Sequence, residues 1–189
     1  MRIAILGWGS LYWQPKELAF DKEFKWKEDG PTLPIEFARI SKDGRLTLVI
    51  TSEGTEVLTL YALSTYKTLE EAVLNLAVRE GSGIKSIGYY DKTSDDFMQE
   101  KFQFKKKIRE WIQKTDFDAV IWTNLGEKWE IDKNGTKTVI PSEKRVNYLK
   151  ELKGNKKALA EEYIRKTPIQ IKTKYRKLIE KELNWTPII

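Results

Sequence analysis

The hydrophobic pattern begins with an unbroken apolar run, Ile3 to Leu6, which ends at Gly7. A second, almost continuous run extends from Ala119 to Thr123. Runs of this length that are apolar at successive positions are typical of strands buried on both faces. We therefore predict two central strands, far apart in the sequence.

Alternation of apolar and polar residues follows the first run. It covers Ile35 to Ile40 and Leu46 to Thr51, and the turn signal Asp43-Gly44 separates the two segments. This arrangement predicts a β-hairpin. A further strand, Val57 to Leu63, would continue it as an antiparallel meander.

Helical spacing is clearest from Thr68 to Gly81. Thr68 and Glu71 form a capping box, and Gly81 occupies the position of a left-handed C-terminal cap. Apolar residues recur on one face of this segment, at Leu69, Ala72, Val73, Leu76 and Ala77. We predict an amphipathic helix packed on the sheet.

The second half of the chain predicts further helices. One is capped by Ser94, and three follow in the tail: from Ser142 to Leu152, from Lys156 to Arg165, and from a capping box that begins at Thr167. Asn134-Gly135 indicates a hairpin between them. These elements predict an α+β fold with a mixed, mostly antiparallel sheet, flanking helices and a helical C-terminal tail. We expect one domain over residues 1–189, with a core of residues 1–140 and the tail of residues 141–189 packed on it.

Composition narrows the chemistry. The 189 residues include no cysteine and no histidine, which excludes disulfides, thiolate nucleophiles, Cys/His metal sites and an imidazole base. We expect no metal and no cofactor. No apolar leader and no run near the roughly 20 apolar residues of a membrane span is present. We expect a soluble cytoplasmic protein with no membrane partner, and the sequence leaves its oligomeric state open.

Charge is uneven along the chain. Residues 1–100 carry 12 Lys and Arg against 16 Asp and Glu, whereas residues 101–189 carry 22 against 12. A basic half can mark a phosphate-binding face. Here the lysines alternate with glutamates along helical stretches, which is more typical of a solvated surface. Nucleic-acid binding is therefore kept only as an alternative.

The loop after the first strand is a candidate binding site. Gly7 and Gly9 flank Trp8, so successive backbone N–H groups could converge on a small anion. The plainer alternative is a glycine turn after a core strand. A dinucleotide-binding loop is disfavoured because Tyr12 stands where a third glycine is required.

Glu80 is the second candidate. It continues the apolar stripe of the predicted helix and lies in its last turn, where the helix dipole disfavours negative charge. Burial and the dipole both raise the pKa of a carboxylate, as a general base requires. The alternatives are that Glu80 turns to solvent or pairs with Arg79 or Lys85. We expect Glu80→Gln to maintain or raise stability, because a neutral amide costs less to bury beside the carbonyls of a helix end than a carboxylate does.

The loop and the helix end also resemble a known family. Gly7-Trp8-Gly9-Ser10-Leu11-Tyr12-Trp13 resembles the G-Y-G-S-L-I-W opening of ChaC-type enzymes and the Y-G-S-N-L loop of γ-glutamylcyclotransferases. Glu80-Gly81 is similar to the glutamate and glycine that follow in the mammalian-type enzymes. The resemblance covers residues 1–90, and Trp8 replaces the family's tyrosine.

The resemblance implies a small mixed barrel with flanking helices and a cyclotransferase reaction. Glu80 would act as general base, and Trp8, Gly9, Ser10 and Leu11 would bind the substrate. The substrate would be a small γ-glutamyl amine or peptide that releases 5-oxoproline, without metal or cofactor. The alternative is a non-catalytic module that binds a small molecule or a protein on the same fold.

Overall fold

A computed structural model describes residues 1–99, 101–129 and 144–188. The chain forms two compact units, one of residues 1–33 and 58–125 and the other of residues 34–57 and 126–189. The strands are β1 (Ile3–Gly7), β2 (Thr32–Ile40), β3 (Leu46–Ile50), β4 (Thr55–Leu58), β5 (Leu60–Leu63), β6 (Ile87–Asp91), β7 (Asp96–Phe97) and β8 (Ala119–Thr123). The helices are α1 (Leu69–Glu80), α2 (Lys105–Ile112), α3 (Lys144–Glu151), α4 (Gly154–Arg165) and α5 (Lys174–Leu183), with a 3₁₀ turn at Ile84–Ser86. The α+β class is confirmed, with two open sheets rather than a closed barrel.

The first unit contains a five-stranded sheet in the order β5-β1-β8-β6-β7. β1 is antiparallel to β5 and parallel to β8, and β8 is antiparallel to β6. Every residue of β1 is buried, as are the first four of β8, which confirms the two predicted central strands. α1 packs on one face of this sheet through a core that includes Ile5, Ile121 and Leu76.

This topology brings the ends of several strands together at one edge of the sheet, where β1 and β8 end and β6 begins. β1 and β8 are parallel, so their carboxyl ends meet there. Ile87, the first residue of β6, lies opposite Thr123, the last residue of β8. Chain segments from three separate parts of the sequence therefore meet at this edge.

The second unit contains the three-stranded sheet β3-β2-β4. The predicted hairpin is confirmed as β2 and β3, with a bulge between Phe37 and Arg39. The predicted meander is wrong, because β4 is a neighbour of β2 rather than of β3. The predicted strand from Val57 to Leu63 is likewise divided into β4 and β5.

The division of that strand occurs at buried Thr59 in the first unit. Its hydroxyl donates to the Pro31 carbonyl, and its own carbonyl accepts the Gly30 N–H at 3.0 Å. A side chain at position 30 would meet Thr59, because an added Cβ would lie 2.5 Å from its hydroxyl oxygen. The close approach of Gly30 holds Thr59 outside the regular strand pairing.

In the second unit, α3 and α4 correspond to the first two predicted tail helices. The third begins at Lys174 rather than at Pro168, because Thr173 caps it and the preceding segment is held as a loop. Buried Arg176 holds that loop by donating to the carbonyls of Thr167, Pro168 and Ile171.

A glutamate is fully buried in the second unit. Glu36 Oε1 accepts the Phe37 N–H at 2.9 Å, and Oε2 accepts the Thr55 hydroxyl at 3.2 Å and the Tyr175 N–H at 3.5 Å. Glu36 thus helps cap α5. Burial raises the pKa of Glu36, although hydrogen bonds from Thr173 and the other donors act to lower it.

The helix predicted from Ser94 begins only at Lys105. Asp95 has a left-handed backbone, with a φ of 54°, and its carboxylate accepts hydrogen bonds from Tyr90 and Arg109. Asp96 and Phe97 instead form the short strand β7, in which Phe97 lies opposite Tyr90 of β6 and stacks on its ring with centroids 4.2 Å apart. The predicted hairpin at Asn134-Gly135 lies outside the described residues, and none of the described helices is long and apolar enough to cross a membrane.

Candidate active site

The end of α1 is defined by local sequence, as predicted. The Thr68 hydroxyl accepts the Glu71 N–H at the start of the helix. At its end Gly81 is left-handed, with a φ of 58°, and the Ser82 N–H donates back to the Ala77 carbonyl at 3.0 Å. These caps make Glu80 the last helical residue.

Glu80 forms an ion pair with its neighbour Arg79. Arg79 Nη1 lies 2.6 Å from Glu80 Oε1, and the two side chains are 6% and 16% exposed. The carboxylate is therefore neither unpaired in the core nor free in solvent, and the paired alternative describes its geometry. The expectation that Glu80→Gln maintains stability must be revised, because it assumed an unpaired carboxylate.

The same guanidinium contacts the glycine loop. Arg79 Nη2 donates to Ser10 Oγ at 3.2 Å and to the Gln14 carbonyl at 2.7 Å. Of the predicted site residues, Ser10 and Glu80 are thus brought together by the side chain of Arg79, which the sequence offered as a partner of Glu80 but not as a contact of the loop. Trp8, Gly9 and Leu11 are buried in the same loop.

The loop itself is a compact turn. The Tyr12 N–H donates to the Gly9 carbonyl and the Gln14 N–H to the Ser10 carbonyl. Within the described chain, positive φ angles occur elsewhere and not at Gly7 or Gly9, so a left-handed glycine does not shape the loop. Gly7 instead makes room for Trp26, because an added Cβ would lie 2.7 Å from its ring.

Three backbone donors of this loop have no acceptor in the described protein. The N–H groups of Gly9, Ser10 and Leu11 make no hydrogen bond to any described residue. An unpaired backbone donor normally requires water or a ligand. The loop can therefore donate to an oxygen atom of a bound molecule.

Sequence reasoning also missed a set of buried side-chain donors. Trp26 Nε1, Arg79 Nε, Ser82 Oγ and Thr123 Oγ1 are buried without a hydrogen-bond partner. No motif marks them, since their relation to the glycine loop depends on how α1, β1 and β8 pack. Among the described residues no group of three or more acidic side chains could hold a metal ion.

Comparisons with known proteins add no relative: no family model, no curated protein and no solved structure matches this chain. Assignment of a function therefore depends on the site. Its parts are a carboxylate, a guanidinium that joins it to a loop, and several hydrogen-bond donors without acceptors.

Proposed function

We propose that this protein is a γ-glutamylcyclotransferase-like enzyme with Glu80 as its general base. The observation that carries the proposal is the linkage from the Glu80 carboxylate through Arg79 to Ser10 of the glycine loop. A proton acceptor and a group of N–H donors are the two parts that this reaction requires of a protein.

The reaction is intramolecular. The α-ammonium of the γ-glutamyl group transfers a proton to Glu80, and the resulting amine attacks the γ-carbonyl carbon. The C–N bond to the leaving amine or peptide breaks as that nitrogen takes up the proton from Glu80. The ring nitrogen then loses its second proton through Glu80 to the departing amine, which leaves as an ammonium ion, and 5-oxoproline is released. The protein has to hold the glutamyl chain in a reactive conformation and stabilise the oxyanion, which the N–H groups of Gly9, Ser10 and Leu11 would do.

The ion pair leaves part of Glu80 available. Arg79 uses Glu80 Oε1, and no described residue forms a hydrogen bond to Oε2. Oε2 would therefore accept the proton, while Arg79 holds the carboxylate in one orientation. In this role Arg79 is a positioning residue.

The alternative is a binding module without catalysis. The same ion pair favours it, because a neutralised carboxylate can simply join the end of α1 to the loop. Nucleic-acid binding receives less support, since charged side chains of α4 pair with glutamates, such as Arg165 with Glu161 at 3.0 Å. The paired charges are typical of a solvated helix face.

The direct test is release of 5-oxoproline from γ-glutamyl dipeptides, γ-glutamyl amines and glutathione. β-Aspartyl dipeptides are the matched control, because loss of one methylene would require a four-membered ring. N-acetyl-γ-glutamyl amides form a second control, since their nitrogen cannot act as the nucleophile. Turnover of at least one γ-glutamyl compound and of neither control is expected. Inactivity on the whole panel would favour the binding module.

A further inference from the structure

Unpaired buried donors are concentrated in one part of the first unit. Six buried side-chain atoms lack a hydrogen-bond partner among the described residues. Four of them belong to the neighbourhood of the glycine loop and the end of α1: Trp26 Nε1, Arg79 Nε, Ser82 Oγ and Thr123 Oγ1. Each can donate a hydrogen bond, and buried donors are rarely left unpaired in native proteins.

Thr123 faces α1 from the end of β8. It lies opposite Ile87 in the antiparallel pair of β8 and β6, and directly opposed side chains share one face of a sheet. Ile87 belongs to the core that α1 covers, as does Ile121 two residues before Thr123. The Thr123 hydroxyl is therefore on the α1 side, at the edge where β8 ends.

Trp26 lies beside the same edge. Its ring occupies the space over Gly7, the last residue of β1. Ile5 is aligned with Ile121 in the parallel pair of β1 and β8, so the next same-face positions along the two strands are Gly7 and Thr123. The ring and the hydroxyl thus belong to adjacent strand ends on the face that packs against α1.

Arg79 and Ser82 lie at the end of α1, which packs on that face. The Arg79 guanidinium is hydrogen-bonded to the glycine loop after Gly7, and the Ser82 N–H donates to the Ala77 carbonyl at the end of the helix. The 3₁₀ turn before β6 ends at Ser86, whose carbonyl accepts the N–H of Asn124, the residue after Thr123. Four residues after Ser82, the chain is therefore hydrogen-bonded to the residue that follows Thr123.

We propose that Ser82 and Thr123 are ligand-binding residues and that, with Arg79 Nε, they bind a carboxylate. A carboxylate is an acceptor-only group with two oxygens, which matches a set of donors that has no acceptor of its own. This inference rests on the proposed function for its ligand: the carboxylate is the α-carboxylate of the substrate, and the adjacent α-ammonium is directed to Glu80. Ser82 and Thr123 then determine that the substrate must carry a free α-carboxylate.

The experiment compares 5-oxoproline with 5-oxoprolinamide, in which a neutral amide replaces the carboxylate. Binding to the full chain is measured by calorimetry for wild type, Thr123→Val, Ser82→Ala and the double variant. We expect wild type to prefer the acid at least about tenfold, and the double variant to lose most of that preference. Thr123→Ser keeps the hydroxyl, so this variant should prefer the acid as wild type does. Thr93→Val, at an exposed turn, is the matched control and should bind as wild type does.

A thermal unfolding measurement separates binding from a structural role. Removing an unpaired buried hydroxyl should leave the unfolding temperature of the unliganded protein unchanged or higher, whereas removing a structural hydrogen bond would lower it. The inference is overturned if wild type does not distinguish acid from amide, or if the double variant distinguishes them equally well. Release of 5-oxoproline is measured independently. If the protein prefers the acid but shows no turnover, only the proposed enzymatic activity is refuted. If turnover occurs and KM is unchanged in the double variant, only this carboxylate site is refuted.

Discussion

Replacing Glu80 by glutamine tests both the chemistry and the ion pair. The amide has nearly the same shape as the carboxylate, but it cannot accept the proton from the substrate ammonium. A general base typically contributes about 10² to 10⁴ in rate. We therefore expect kcat for 5-oxoproline release to fall by that factor, with little change in KM.

The effect on stability follows from the contact with Arg79. The glutamine oxygen can still accept from Nη1, so a charge-assisted hydrogen bond becomes a neutral one. Such bonds contribute about 1.5–3 and about 0.5–1.5 kcal/mol respectively, which predicts a loss of about 1–1.5 kcal/mol. For a chain of this size that corresponds to a decrease of about 2–6 °C in Tm. The Arg79 side chain is only 6% exposed, so water can replace the lost counter-charge poorly.

The assay measures steady-state 5-oxoproline release and thermal unfolding on the same preparations. Glu70→Gln is the matched control, because Glu70 is an exposed glutamate in the first turn of the same helix. It should retain wild-type activity and lose only a few tenths of a kcal/mol from the helix dipole.

Two results would refute the reasoning separately. If Glu80→Gln retains wild-type kcat, Glu80 is not the base. If its Tm equals that of wild type, the contact with Arg79 does not stabilise the fold and the stability argument is wrong.

Three further predictions concern the rest of the chain. Truncation after residue 141 should cause aggregation, because it removes contacts such as that of the Tyr163 hydroxyl with the Leu48 N–H in the second unit; a soluble truncation with a sharp unfolding transition would refute the single-domain prediction. Nucleic-acid binding should be weak at physiological salt, and titration at 50 and 200 mM would reveal the roughly thousandfold decrease expected of a binder with six phosphate contacts. Burial raises the pKa of Glu36, so its stabilising contribution is complete below the ordinary value of 4.5 and is lost as pH rises through the raised value. Urea unfolding should therefore show wild type losing stability relative to Glu36→Gln as the pH rises above the ordinary value of 4.5; a constant difference between the two proteins would contradict this.

What could be predicted from the sequence depends on near neighbours in the chain. The Thr68 cap, the left-handed Gly81 and the apolar face of α1 involve residues within one or two helical turns of each other, so spacing alone indicates them. The buried strands β1 and β8 and the hairpin of β2 and β3 were predicted for the same reason. These elements place Glu80 at the end of a helix and Ser10 in the loop after a central strand.

Tertiary structure decided the features that join distant residues. Arg79 meets Ser10 across 69 positions of the chain, and this contact determines the surroundings of Glu80. The start of α5 was mispredicted because Arg176 binds the carbonyls before it, a competition that a local capping signal does not include. In the sequence Thr123 is an ordinary strand residue. Only the parallel pairing of β8 with β1 places it beside the end of β1, where the glycine loop begins. Periodicity reports which face of an element is buried, whereas the partner that lies against that face depends on packing over the whole chain.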